Sequence, residues 1–262
     1  MSSTIAVQMY TLRDFTQTRA GLKDSLAKVS AIGYRAVQLS AVGAMNGEHP
    51  EVSAQEARAM LDDHGLRCVA THRGWDDLTG RTDAEIAFHQ TLGCDYVAIG
   101  GLPGSYRGQG ADGYRRFVED AGPVIARLKA AGIRFGYHNH DFEFQRLEPG
   151  RTHFDILIDA EPDLTLEIDV YWAAHAGVNP IRLFERCGGR VPVIHVKDKE
   201  VVPGDGPVMA AVGEGNLDWA GILPACAAAG VEVYAVEQDI CRRDPFDCLR
   251  SSYEFLSNRF KA

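Results

Sequence analysis

Short β-branched or apolar runs alternate with longer helical patterns from one end of the chain to the other, and this alternation restricts the fold more than any other feature. Strand-like runs cover residues 5–10, 36–39, 67–71, 96–99, 134–139, 164–168, 191–196 and 231–236. Between them, apolar residues recur three and four apart, as in GLKDSLAKV at residues 21–29, which is the spacing of a helix that buries one face. Strands that alternate with helices are parallel and need crossover connections. Eight such units in 262 residues point to an α/β fold closed as a (β/α)8 barrel rather than an open doubly wound sheet. No linker or shift in composition divides the chain, so residues 1–262 read as a single TIM-barrel domain.

Local signals place several boundaries. Ser53 with Glu56 forms a capping box for a helix that Gly65 ends. Residues 72–77 read as a loop, and Pro123 is expected to kink or divide the helix over residues 113–131. Residues 152–160 read as a helix, although the run of Ile156, Leu157 and Ile158 also suits a strand. Residues 201–215 carry glycine and proline and are expected to cross the mouth of the fold. The first strand–helix turn lacks the glycine fingerprint of a dinucleotide site.

Charge narrows the partners. Lys and Arg total 27 against 36 Asp and Glu, a formal charge of −9, which argues against a nucleic-acid or anionic-membrane surface. Hydrophobic content of 45% is that of an ordinary globular protein, and no run of 18 apolar residues is present. The N-terminal residues lack the pattern of a signal peptide. Cys68, Cys94, Cys187, Cys226, Cys241 and Cys248 form no CxxC pair and read as reduced thiols, so a cytoplasmic location is expected. A homo-oligomer is compatible with all of this.

The chemistry-bearing residues gather at strand ends. Tyr137-His138-Asn139-His140-Asp141-Phe142-Glu143 follows the fifth strand, Asp169 ends the sixth, His195 the seventh, Glu237 the eighth and His72 the third. Barrel active sites lie at this C-terminal end. Glu143 and Asp169 are 26 residues apart, as are Asp169 and His195, and 42 separate His195 from Glu237. Neighbouring strands stand about 5 Å apart, so one ligand from each reaches a common ion. A single His such as His49, His64 or His175 is more often packing than ligand, and Asp169 alone could cap a helix. Carboxylates with one imidazole suit a single divalent ion, Mn²⁺, Mg²⁺, Co²⁺ or Zn²⁺. Glu143 is favoured over His140 as the strand-five ligand. Lys197 reads either as a structural partner of Asp198 or as a substrate contact. Trp75, Tyr171 and Trp172 read either as core or as a wall on which a sugar stacks.

The segments VQMYTLRD, GYRAVQLS, YHNHDFEF, LEIDVYWAAHAG, VIHVKDK, VGEGNLDW and YAVEQD resemble the sugar phosphate isomerase/epimerase family of xylose-isomerase-like barrels over nearly the whole chain. The resemblance implies one divalent metal held by Glu143, Asp169, His195 and Glu237. It also implies a small sugar or polyol substrate, for which His72, Trp75, Trp172 and Lys197 are the candidate contacts by their position. The implied reaction is isomerisation or epimerisation, with a base removing a proton next to a metal-held oxygen. His138 stands where ketose epimerases of the family carry a Glu. The HxH pattern is more like the branch that includes inosose dehydratase, which implies a lyase as the alternative, with His138, His140 and Glu143 as catalytic groups. Apurinic endonucleases share the barrel, but their need for three metals and a basic face fits this chain poorly. A barrel that binds without catalysis is the remaining alternative.

Overall fold

The computed structural model describes residues 3–260; residues 1, 2, 261 and 262, the ends of the expected domain, lie outside the described residues. Eight parallel strands close into a barrel: β1 (Thr4–Gln8), β2 (Ala36–Leu39), β3 (Arg67–His72), β4 (Tyr96–Ile99), β5 (Arg134–His138), β6 (Leu164–Asp169), β7 (Val193–Val196) and β8 (Val233–Val236). The ring closes where β1 pairs with β8, Ile5 opposite Tyr234. The expected (β/α)8 barrel is the observed fold. Its outer helices in chain order are α1 (Arg19–Ile32), α2 (Ala54–Asp63), α3 (Trp75–Gly80), α4 (Thr82–Leu92), α5 (Gly110–Ala130), α6 (Phe154–Ile158), α7 (Val170–His175), α8 (Pro180–Cys187), α9 (Trp219–Ala228) and α10 (Pro245–Phe260).

Alternation along each strand sorts the side chains into two cores. Val7, Val37, Val97, Phe135, Leu166, Ile194 and Tyr234 join helix residues such as Leu26, Phe117, Phe184 and Leu249 in one large apolar cluster. The opposite parity forms a second, small cluster of Ala6, Ala36, Ala70, Ala98, Val193, Val233 and Ala235 around the fully buried Tyr96. Small residues are needed there because eight strands leave little width inside. Gly136 shows the limit: a Cβ at this position would sit 2.0 Å from the Tyr96 hydroxyl. At the N-terminal end of the barrel, Arg134 bonds both oxygens of Glu232 at 3.0 and 3.1 Å.

Local expectations fare unevenly. The capping box at Ser53 and Glu56 is present in full. Pro123 does not divide its helix, since α5 runs unbroken across it. Both Pro123 and Glu119, whose carbonyl loses its partner, lie on the exposed face, so water can satisfy that carbonyl. The expected loop after β3 is already helical from Trp75. The segment expected to cross the mouth is an antiparallel hairpin, Asp198–Val202 with Gly206–Ala210, standing on the rim above β7 and β8. All six cysteines are free. No helix among the described residues is long and apolar enough to cross a membrane.

Two glycine substitutions test this division of space. Gly136→Ala should lower unfolding free energy by about 1–3 kcal/mol through overpacking against Tyr96. Gly122→Ala, on the exposed face of α5 with nothing within 4 Å of the new methyl, should raise it by about 0.4–1 kcal/mol. Urea unfolding of both variants measures the two signs.

Candidate active site

The inward parity that carries alanines low in the barrel carries polar groups at its C-terminal end. Gln38, His138, Glu167, Asp169, His195, Lys197 and Glu237 are all at most 5% exposed. Strand register brings them together, with His138 opposite Glu167 and Asp169 opposite His195. His195 Nδ1 lies 2.9 Å from Glu237 Oε2 and 3.8 Å from Asp169 Oδ2. These three atoms are buried and none has a hydrogen bond of proper geometry. Lys197 Nζ approaches the same two carboxylates at 3.0 and 2.7 Å and donates to Asp239 at 2.8 Å.

Below this group lies a second, fully bonded one. Glu167 accepts from Gln38 Nε2 at 2.7 Å and meets His72 Nε2 at 2.5 Å. Gln38 Oε1 is 2.9 Å from His195 Nε2. A glutamine whose amide nitrogen is committed to Glu167 presents its oxygen to His195, which sets Nε2 as the donor and turns Nδ1 toward Asp169 and Glu237. Glu167 was hidden inside an apolar-looking strand sequence, and Gln38 likewise. Counting back two residues from Asp169 finds Glu167 on the same inward face.

Electrostatics separates the imidazoles. Burial holds His138 well below the ordinary range, with His195, His72 and His140 adding to the effect. Burial and then Lys197 bring His140 down to about 4, so both rings are neutral at pH 7. For His195 burial acts the same way, yet Glu237 and Glu167 overcome it and hold the group up at about 10. Burial lifts Asp169 to about 6 against the pull of Lys197 and His195. Burial also opposes ionisation of Glu237, but Lys197 and His195 keep it well below the usual carboxylate range. A cavity of ≈ 410 Å³ opens above these groups, lined by His72, Gly100, His138, His140, Lys197 and Glu237 among others.

A family model described as a xylose isomerase-like TIM barrel matches residues 26–256. The chain belongs to this family. Three solved structures illustrate the shared xylose isomerase-like fold. A sugar phosphate isomerase/epimerase from Parabacteroides distasonis ATCC 8503 is 23% identical over 97% of this chain and 98% of that one, with a TM-score of 0.79. An L-ribulose 3-epimerase is 16% identical over 99% and 95%, with a TM-score of 0.73. A probable 3-DHS dehydratase from Bacillus anthracis is 13% identical over 98% of this chain and 99% of that one, with a TM-score of 0.70. No curated protein matches the sequence.

Within this xylose isomerase-like barrel, Asp169, His195 and Glu237 converge, and His72, His138, His140 and Lys197 line the cavity beside them. Asp169 serves in both ways the sequence allowed: Oδ1 caps α7 by accepting from Trp172 N at 3.0 Å, while Oδ2 faces the barrel interior. Lys197 is not paired with Asp198. The two alternate, and Asp198 turns outward to accept from Lys199 N, Gly213 N, Gly215 N and Trp219 Nε1, which ties down the loop after the hairpin. Trp172 stands 5.5 Å from the His140 ring and 5.6 Å from Lys197 Nζ, at the rim.

Two expected site residues are placed elsewhere. Glu143 does not reach the cluster, because the turn over Phe142–Phe144 folds it back under the loop. There it accepts from the Tyr137 hydroxyl at 2.7 Å and from His140 N at 2.8 Å, which occupies both oxygens. Trp75 is buried outside the barrel, with Phe117 at 5.1 Å and Phe135 at 6.2 Å, and belongs to the core. Asn139, between the two histidines, accepts from Asp169 N at 3.0 Å and joins the ends of β5 and β6.

Burial lifts the Glu143 carboxyl to about 7 despite its two donors. A raised carboxyl favours the folded state at low pH, and that advantage fades as pH rises through its folded value. Between pH 4.5 and 8 the wild type should therefore lose about 2–4 kcal/mol more stability than Glu143→Gln. Urea unfolding of both proteins across that window measures the difference, and parallel pH profiles would remove Glu143 as the cause.

Proposed function

We propose that this chain is a divalent-metal-dependent enzyme acting on a sugar or polyol derivative, with isomerisation or epimerisation as the leading reaction. The observation that carries this reading is the convergence of Asp169 Oδ2, His195 Nδ1 and Glu237 Oε2, three buried ligand-type atoms that meet one another and Lys197, beneath a cavity faced by two neutral imidazoles. Two carboxylates and one imidazole fit a hard or borderline divalent ion. Asp169, His195 and Glu237 would hold it, and the ion would supply Lewis-acid polarisation of substrate oxygens. The ion and a proton compete for His195 Nδ1, so binding should release protons. The fold shared with a solved L-ribulose 3-epimerase supports the substrate class.

The residues divide the remaining work. His138 and His140, neutral and each with a buried Nδ1 free of hydrogen bonds, can accept a proton from carbon. Lys197 balances Asp169 and Glu237 and presents positive charge to the cavity. Gln38, backed by Glu167, accepts from His195 Nε2, so Nδ1 is the nitrogen that would give up its proton to hold an ion. Trp172 offers an apolar face at the rim.

One observation favours a second reading, elimination by a lyase. An imidazole brought down to about 4 becomes a strong acid once protonated, so His140 could take a proton from carbon and pass it to a departing β-oxygen. Incubation of the Mn²⁺-loaded protein with ketoses and keto-sugars in deuterated water separates these readings. Exchange at the carbon beside the carbonyl with the sugar skeleton intact is the result expected for isomerisation or epimerisation; loss of water or of a substituent marks the lyase. Neither exchange nor loss with any ketose or keto-sugar would defeat both. Gln38→Leu should weaken metal binding about 10–100-fold, as loss of a partner to a ligating histidine does, while leaving the direct ligands in place.

A further inference from the structure

A second cavity of ≈ 410 Å³ adjoins the one above the metal-type cluster, lined by Tyr106, Arg107, Tyr114, Phe142, Gln145 and His153 among others. The two share Arg107, which lines both. Phe142 forms the partition: its ring stacks on His140 at 5.3 Å and 10°, and it also lines the second cavity. It is one of the few large apolar side chains left exposed, at 39%. Arg107 is fixed by its Nε donating to Leu102 O at 2.7 Å, with its guanidinium 5.7 Å from the Phe142 ring.

The second cavity is built rather than incidental. Tyr106, Tyr114 and His153 are each at most 7% exposed, so their positions are set by packing. The Tyr106 hydroxyl donates to Asp120 at 2.8 Å, and the rings of Tyr114 and His153 lie 5.0 Å apart. Aromatic faces with one guanidinium and one amide recognise a ring that is apolar on its faces and polar at its edges. A phosphate would call for several cations, and Arg107 is the one permanent cation among these lining residues.

We infer that the substrate carries two rings, a reacting sugar beside His138 and His140 and a second cyclic group, glycosyl or aryl, seated between Phe142, Tyr106 and Tyr114. This inference rests on the proposed sugar chemistry of the first cavity. Each compartment alone has the volume of a small-ligand pocket, so a single monosaccharide would leave the second without a role. Placement of the linkage beside Arg107 follows from that residue's place in both cavities.

Calorimetric titration of the full-length, Mn²⁺-loaded protein tests the inference without relying on turnover. The ligands are D-glucose, D-galactose and D-mannose, their phenyl glycosides in both anomers, cellobiose, maltose, lactose and glucose 6-phosphate. At least one two-ring ligand should bind about tenfold or more tightly than its parent hexose, the effect of one ring seated on aromatic side chains. Preference for phenyl glycosides identifies an aryl group, and preference for disaccharides identifies a glycosyl group. Gln145→Trp, which fills the second cavity from an exposed position, should reduce the preference to about twofold or less, and Phe142→Ala should reduce it independently. Equal binding of one- and two-ring ligands, no binding of either, tightest binding of glucose 6-phosphate, or a preference unchanged in both variants would each overturn the inference. Carbon–hydrogen exchange read separately keeps the two proposals apart: exchange without a two-ring preference leaves the chemistry standing, and the preference without exchange leaves the second cavity standing.

Discussion

Asp169 and Glu237 lie inside the barrel with the Lys197 ammonium within 3.0 Å of both, and the C-terminal half of the barrel interior is organised around that contact. Carboxylates removed from water remain ionised only beside positive charge. Lys197 also serves Asp239, so a single lysine faces three carboxylates, and Glu167 lies one layer below against His195. The imbalance of four carboxylates against Lys197 and His195 leaves the pocket electronegative at its floor, the condition that favours a divalent ion. It also accounts for the direction in which the imidazoles divide: His195, in contact with carboxylates, is held protonated, while His138 and His140, farther from them, are kept neutral by burial.

The same alternation that builds the barrel decides which residues take part. Lys197 faces in and Asp198 faces out, and the two adjacent charges do unrelated work, one in the pocket and one holding the loop before α9. His138 and His140 both face the cavity while Asn139 between them bonds the backbone of Asp169.

How much of this could be read from the residues depended on whether the governing signal was periodic. Strands β2 and β4 fall where the apolar runs placed them, because burial against helices on one side demands those runs. Asp169, His195 and Glu237 were legible as reactive groups ending successive strands. Glu143 was not placeable, since distance along the chain says nothing about a turn that folds back on Tyr137. Trp75 was read as a loop residue when it opens α3 against Phe117, a contact made across about 40 residues of sequence. Glu167 and Gln38 escaped notice because polar residues within apolar strands look like exceptions until the inward face of the barrel is known.

We propose that Asp169, His195 and Glu237, and not Glu143 of the strand-five motif, hold the ion. Titration of the full chain with Mn²⁺, followed by the paramagnetic resonance of the free ion, tests it in the wild type, Asp169→Asn and Glu143→Gln. One ion per chain is predicted, with affinity lowered about 10–100-fold or more in Asp169→Asn and changed by less than about threefold in Glu143→Gln. Loss of binding in Glu143→Gln with retention in Asp169→Asn, or no stoichiometric binding in the wild type, would contradict the account.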